Sequence, residues 1–384
     1  MDAPSLSLSL HQSIAEIPAA EWDACNDGNP FTSHAFLLAM EESGSTGPRT
    51  GWLPQHAALR DDDNALVACA PCYAKAHSYG EYVFDHGWAN AYERAGGRYY
   101  PKLQVAVPFS PVPGPRLLRR PGIPVAAMAQ ALKQAMEALH CSSTHVTFCT
   151  EAEWQALGEA GWLQRTGTQF HWHNRGYATF DDFLAKLASR KRKALKRERR
   201  EVEETGLSIQ TLRGHEITGR HWAAFHRFYR NTVDSRWGSA YLTKQFWPLL
   251  GQRLGDKVVL MWAERLGERG GEPVAAALNL LGPEALYGRN WGAAEDIPFL
   301  HFELCYHRAI DFAIAHNIPR VEAGAQGEHK IQRGYLPSRT YSAHLIGHPG
   351  LSRAVAEFLA AERPAIEARM EELATLSPYR RDGE

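Results

Sequence analysis

The sequence predicts a mixed α/β protein built of two domains. Three observations carry that prediction. The chain has 384 residues, more than one compact core usually covers. Strand-like and helix-like patterns alternate along it instead of segregating into blocks. The second half also repeats the order of elements in the first, although the letters hardly repeat.

In the first half, a short helix around 20–24 and a second over 33–44 precede strands at 56–59 and 65–75. The stretch "RYYPKLQVAVPFSPVPGPRLL" holds a strand that stops at a proline-rich corner. "PVAAMAQALKQAMEALH" (124–140) is apolar at helical spacing with Pro124 near its first turn. A short strand over 143–150 leads to a helix over 151–162, with Gly161 at its end. "TQFHWHNRGY" (168–177) alternates aromatic and polar residues as a strand does.

A new pattern opens at "TFDDFLAKLASRKRKALKRERREVEETG" (179–206). Thr179 suits an N-cap, Asp181 and Asp182 suit the first turn, and Gly206 suits the end. The domain boundary is therefore placed between 178 and 179, giving domains over 1–178 and 179–384. A helix over 221–233 follows, then strands over 257–266, 273–282 and 285–293. A helix over 299–317 leads to a strand ending near 325, and 340–348 reads as a closing strand. The C-terminal stretch is an amphipathic helix, or a pair of helices broken near Pro364.

Composition narrows the function classes. Hydrophobic content of 44% and charged content of 22% are those of a soluble globular chain, so disorder is excluded. A net charge of −1 gives no global reason to bind nucleic acid or membrane, leaving only local patches to do so. The N-terminal stretch lacks a basic and apolar leader pattern, so no signal peptide is expected. The six scattered cysteines point to a reduced, cytoplasmic chain. Cys69 and Cys72 form a lone "CAPC" without a second pair or a nearby His, so two buried thiols are expected and no metal site.

Four stretches could carry chemistry. "VEAGAQGEHKIQRGYLP" packs Gln326, Glu328, His329, Lys330, Arg333 and three glycines after a buried strand. Glu328 or His329 could take a proton from an ammonium group, and Lys330 and Arg333 could face an oxyanion or a phosphate. The glycines would let backbone approach a ligand, while the plainer alternative is a loop whose charges pair with one another. "LYGRNWGAAEDIPFLHFE" offers Arg289 and Asn290 at a strand end and His301 and Glu303 in the next helix's first turn. A strand–helix–strand crossover brings both stretches to one sheet edge, where α/β proteins bind ligands.

"SRKRKALKRERRE" holds eight cations over 190–200, including Arg190, Lys191, Arg192, Lys193, Lys196 and Arg197. Eight cations cannot share one face, so the helix reads as basic nearly all round. It is either a solvated helix offset by acids at 198, 201, 203 and 204, or a phosphate- or RNA-binding element. "PFSPVPGPRLL" is a rigid corner, and its Arg116 either holds a ligand carboxylate or phosphate or merely closes the turn. No Ser–His–Asp or Cys–His pattern stands out, so direct transfer without a covalent intermediate is expected.

Together, "PFSPVPGPRLL", "QFHWHNRGY", "SRKRKALKRER", "LYGRNWG", "LHFELCY" and "GAQGEHKIQRGYLP" resemble a bacterial FemAB-like family labelled peptidoglycan biosynthesis/recognition. That family is similar to the Fem aminoacyltransferases, which implies two tandem GNAT-type (acyl-CoA N-acyltransferase-type) domains. It implies an acyl- or aminoacyltransferase acting on an amine, such as a peptidoglycan-precursor or other small-molecule acceptor, in a cleft between the domains. The donor would enter as a co-substrate, with no tightly bound cofactor. The basic helix has its counterpart at the start of the Fem second domain, and Lys330, Arg333, Gly334 and Tyr335 loosely match a late "FKRGFG"-like segment. The chain lacks the heptad insertion of some Fem members. Aminoacyl-tRNA and acyl-CoA both remain open as donors. A non-catalytic recognition module and an RNA-binding protein are the alternative readings.

Overall fold

The alternating patterns resolve into two compact units, each drawn from two separate segments of the chain. The computed structural model describes residues 6–234, 240–267, 271–324 and 327–380. One unit comprises Met1–Gly167 and Arg339–Ala368, the other Thr168–Ser338 and Arg369–Glu384. The expected boundary after 178 and this division after Gly167 differ because the strand Leu163–His173 crosses it, its last three residues pairing with Arg320–Glu322 of the second unit. The segment 339–368 returns to the first unit, where the strand Leu336–Ile346 pairs with Ser143–Cys149.

In the first unit, Ser7–His11, His56–Arg60, Leu66–Ala70 and Leu118–Arg119 form a small antiparallel sheet. A second group runs Trp52–Pro54, Cys72–Lys75, Lys102–Val105 and Ser143–Cys149, with the last pair parallel. The helix Val125–Ala138 buries Met128, Ala131, Leu132 and Ala135, one face at helical spacing, in a core with Leu59, Val105 and Val146. The expected single strand over 65–75 is two strands in different sheets. Pro71 separates them, because it has no N–H for a ladder to use. Cys69 and Cys72 are buried free thiols.

In the second unit, Ser208–Arg213, Val258–Arg265, Glu272–Leu281 and Ala285–Ala293 form antiparallel ladders. The crossover then places Arg320–Glu322 parallel to Ala285–Ala293, in register Ala285 to Arg320 and Tyr287 to Glu322. The expected shared edge therefore exists. The helix expected over 179–206 is two: Phe180–Ala185, capped by Thr179 and Asp182, and Ser189–Glu203. Between them Leu187 is fully buried and bridges to Tyr379, which draws the backbone out of helical register. The C-terminal helix Pro349–Thr375 runs unbroken through Pro364, whose exposed position lets the carbonyl it strands face solvent. Among the described residues, no helix is long and apolar enough to cross a membrane.

Candidate functional site

The charged stretch after the strand Arg320–Glu322 contains one tight 3₁₀ turn, Glu328–Arg333. Glycines bracket it with φ of 110° at Gly327 and 88° at Gly334, backbone that a side chain would strain. At Gly334 an added Cβ would also lie 2.8 Å from the Phe183 ring. The turn sends its charges in different directions. Glu328 is exposed and pairs with Arg369. Lys330 points inward at 3% exposure, and its Nζ donates to the Gly324 carbonyl at 3.0 Å. Among the described residues, no carboxylate pairs with it. Burial pulls its ammonium down to about 8, with the Cys305 thiol acting weakly the other way.

His329 places Nε2 2.9 Å from the Tyr306 hydroxyl. Its ring lies 5.6 Å from Phe302, 5.7 Å from Tyr306 and 6.2 Å from His301. Partial burial, then the positive charges of Arg333 and Lys330, hold the imidazole below its ordinary pKa and favour its neutral form. The partners come from one helical segment in which Leu300–Phe302 passes through a π-turn, Glu303–His307, before Arg308–Ala315. Such turns add one residue to the helix and re-aim side chains, and they recur at functional sites. Here the segment presents His301, Phe302 and Tyr306 to the turn, with Trp291 5.1 Å from His301.

Arg333 is bound within the protein. Its fork meets Glu198 of the basic helix at 3.1 and 2.7 Å, its Nη1 donates to the His329 carbonyl at 2.9 Å, and it lies 3.4 Å over the Phe302 ring. Glu303 is likewise engaged: its Oε1 accepts from Arg308 at 2.7 Å and from Arg199 at 3.2 Å, so it frames the helix. Arg289 is the extra residue of a bulge, since Leu278 pairs with Asn290 and Asn279 with Gly288. Arg289 and Asn290, both half-buried, extend past the last pair, Tyr287 with Glu322, on the edge from which the chain leaves for the turn. Gln326 lies outside the described residues. Arg116 belongs to the first unit; it is fully buried, its Nε donates to the Thr147 carbonyl at 3.0 Å and its Nη1 to Gly114 at 3.1 Å, so it closes the proline corner.

The basic helix is not basic all round. At about 100° per residue, Arg190, Lys193, Lys196, Arg197 and Arg200 fall within about 60° of one direction, and all five are exposed. The opposite face buries Leu195, Glu198 and Val202. Lys191 turns inward to hydrogen-bond Gln332, and Arg199 pairs with Asp311 at 2.7 Å while lying 4.4 Å over Phe180. In the sequence Glu198 reads only as a charge offset, and Phe302, Cys305 and Tyr306 enter only within the "LHFELCY" stretch. The signal for Glu198 was present, because it falls on the helix's i, i+3, i+7 apolar stripe with Leu195 and Val202. The π-turn that aims Tyr306 has no comparable letter pattern.

Three solved structures share the fold over most of their length. FemX matches with a TM-score of 0.54 at 9% identity, covering 91% of this chain and all 100% of that one. The C-terminal domain of a putative lysylphosphatidylglycerol synthetase from Agrobacterium fabrum matches with 0.52 at 8% identity, covering 91% and 97%. A conserved protein of unknown function from Bacteroides thetaiotaomicron matches with 0.51 at 12% identity, covering 88% and 100%. The mixed α/β architecture that the sequence resemblance implied is thus one shared with FemX. No curated protein matches the chain. A family model described as peptidoglycan biosynthesis/recognition matches residues 13–381, so the chain belongs to the FemAB-like family.

Proposed function

We propose that the protein is an acyl- or aminoacyltransferase that passes an acyl group from an activated donor to an amine at the Glu328–Arg333 turn. The observation that carries this reading is Lys330, a buried ammonium with a carbonyl but no carboxylate beside it among the described residues. Such a cation is costly unless something anionic completes its surroundings. The developing oxyanion of acyl transfer, or a donor phosphate, would do so.

The acceptor must lose a proton before its nitrogen attacks. Glu328 is exposed and paired with Arg369, which favours His329 as the base. If Nε2–H donates to the Tyr306 oxygen, Nδ1 keeps a free lone pair, and the lowered pKa keeps it unprotonated at neutral pH. One proton leaves the ammonium through His329 to solvent before attack. The new C–N bond then forms as the donor's C–O or C–S bond breaks, and the second proton passes from the attacking nitrogen through His329 to the leaving group. Arg289 and Asn290 from the sheet edge and His301 from the helical segment would orient the substrate. The donor serves as a co-substrate, and cell-wall precursors are the favoured class of acceptor given the family description.

The exposed cation face of the basic helix favours a second reading, in which the protein binds RNA as such. One experiment addresses both. The protein is incubated with acetyl-CoA, other acyl-CoAs and aminoacyl-tRNAs against a panel of amines, and products are read by mass spectrometry. Acylated amine from wild type, lost in Lys330→Met, is expected. Full transfer by both Lys330→Met and His329→Ala would overturn the site assignment. RNA retention without product from any donor would leave the binding reading.

A further inference from the structure

We infer that Glu198 is a positioning residue of this site: from the inner face of the basic helix it orients the Glu328–Arg333 turn and neutralises Arg333, leaving Lys330 as the cation offered to an anion. The other acids of the helix behave differently. Glu201 and Glu204 pair loosely with Arg197 and Arg200, at 3.5 and 3.7 Å with both partners largely exposed, as surface charges do. Glu198 is 9% exposed, and three N–H donors fill its carboxylate: two from the Arg333 fork and one from His307 Nε2 at 3.2 Å. Among the described residues His307 Nδ1 is buried without a hydrogen-bond partner, so the ring's contact with the acid is made through Nε2. Arg333 then carries the constraint onward, since its Nη1 holds the His329 carbonyl and its guanidinium covers Phe302, whose ring flanks His329. The planar fork admits essentially one geometry, which a single ammonium in its place would not impose.

Removing the Glu198 charge leaves Arg333 positive and unpaired beside His329. The groups facing His329 are Arg333, Lys330 and Glu328 of its own turn, and Tyr306 and His301 of the π-turn segment; Arg369 stands beyond Glu328. With one more uncompensated cation among them, protonating His329 or Lys330 costs more.

Two titrations that need no substrate test this. The His329 imidazole is followed by NMR, and the pH midpoint of Lys330 modification by an amine-reactive reagent is read by mass spectrometry. In Glu198→Gln, both midpoints are expected to fall, His329 by about half a unit or more, with Glu198→Asp in between. Unchanged midpoints in a folded Glu198→Gln would overturn the inference. If that variant does not fold, Glu198→Asp decides in the same way: a lowered His329 midpoint upholds the inference and an unmoved one overturns it. The inference rests on the transferase reading only for its effect on turnover. Shifted titrations in a protein that acylates nothing would sink that reading and leave the positioning role standing.

Discussion

Among the buried lysines, Lys102 of the first unit and Lys330 of the second show how differently the same residue can be compensated inside a fold. In the first unit, Lys102 is fully buried and donates to Glu81 at 2.7 Å, to Ser78 at 2.8 Å and to Asp85. Asp85 also accepts from Tyr99 at 2.8 Å, and beyond Tyr99 lie His145 and His344, whose Nδ1 atoms are 2.8 Å apart. Burial alone would lower the Lys102 pKa, but Glu81 and Asp85 outweigh it and hold the ammonium above its ordinary value. Lys330 of the second unit is buried to nearly the same degree, yet among the described residues its hydrogen bond is to a backbone carbonyl and no carboxylate pairs with it, and its pKa falls to about 8. Carboxylate compensation, not burial, separates the two.

The largest expected effect tests that separation through stability. Lys102→Met removes the shared partner of two buried acids, and breaking such a network costs about 3–5 kcal/mol. Lys330→Met removes a cation that pairs with no acid among the described residues, so its stability at pH 7 should match or exceed wild type. Urea unfolding of both variants checks this, and equal losses would dissolve the distinction. Activity should reverse the order. Lys330→Met is expected to lower transfer about 100-fold, the scale of removing one oxyanion donor, while folded Lys102→Met keeps it.

A pH series sharpens the same contrast. The Lys330 pKa is 10.5 ordinarily and about 8 in the fold, so between those values the unfolded chain binds more proton than the folded one. Stability contributed by this group therefore rises with pH across that window, and below about 8 the folded protein bears the full cost of the buried ammonium. The 2.5-unit difference corresponds to about 3 kcal/mol at most. Lys330→Met should consequently be more stable than wild type at pH 7 and lose that advantage toward pH 10.5. A difference between the two proteins that stays flat with pH would mean that Lys330 is not held in an uncompensated setting.

The site was legible in the sequence where it depended on local pattern, and hidden where it depended on who meets whom. Glycines, charges and a strand end marked the 321–337 stretch, and the crossover rule brought it beside Arg289. Letters alone could not tell that Arg333 is engaged by Glu198 while Lys330 is not, because that depends on which face of a helix packs across the turn. The same limit hid the split at Leu187, which follows from a contact with Tyr379 far along the chain. Arg116 misled for a related reason: a stiff corner predicts a well-held guanidinium, but not whether carbonyls of its own corner already fill it. In the first unit, Lys75, Lys102, Glu81 and Asp85 look like ordinary surface charges in sequence, and only the fold gathers them in the interior.

The smallest stability effect is expected at the outer face of the basic helix. Lys193 and Arg197 are exposed, and the ion pair of Arg197 with Glu201 is long and open to solvent. Replacing both by Gln should change stability by less than about 0.5 kcal/mol, in contrast to the inner-face Glu198. If this face docks a polyanion, the same double variant should weaken RNA retention uniformly across sequences. The slope of log affinity against log salt should fall by about one for each cation removed. Filter binding at several salt concentrations reads both quantities. An unchanged slope would assign the cations to solvation of the helix and leave Glu198 as its contribution to the site. A reduced slope with wild-type titration of His329 would show that one helix serves two separable tasks, phosphate contact outward and alignment of the turn inward.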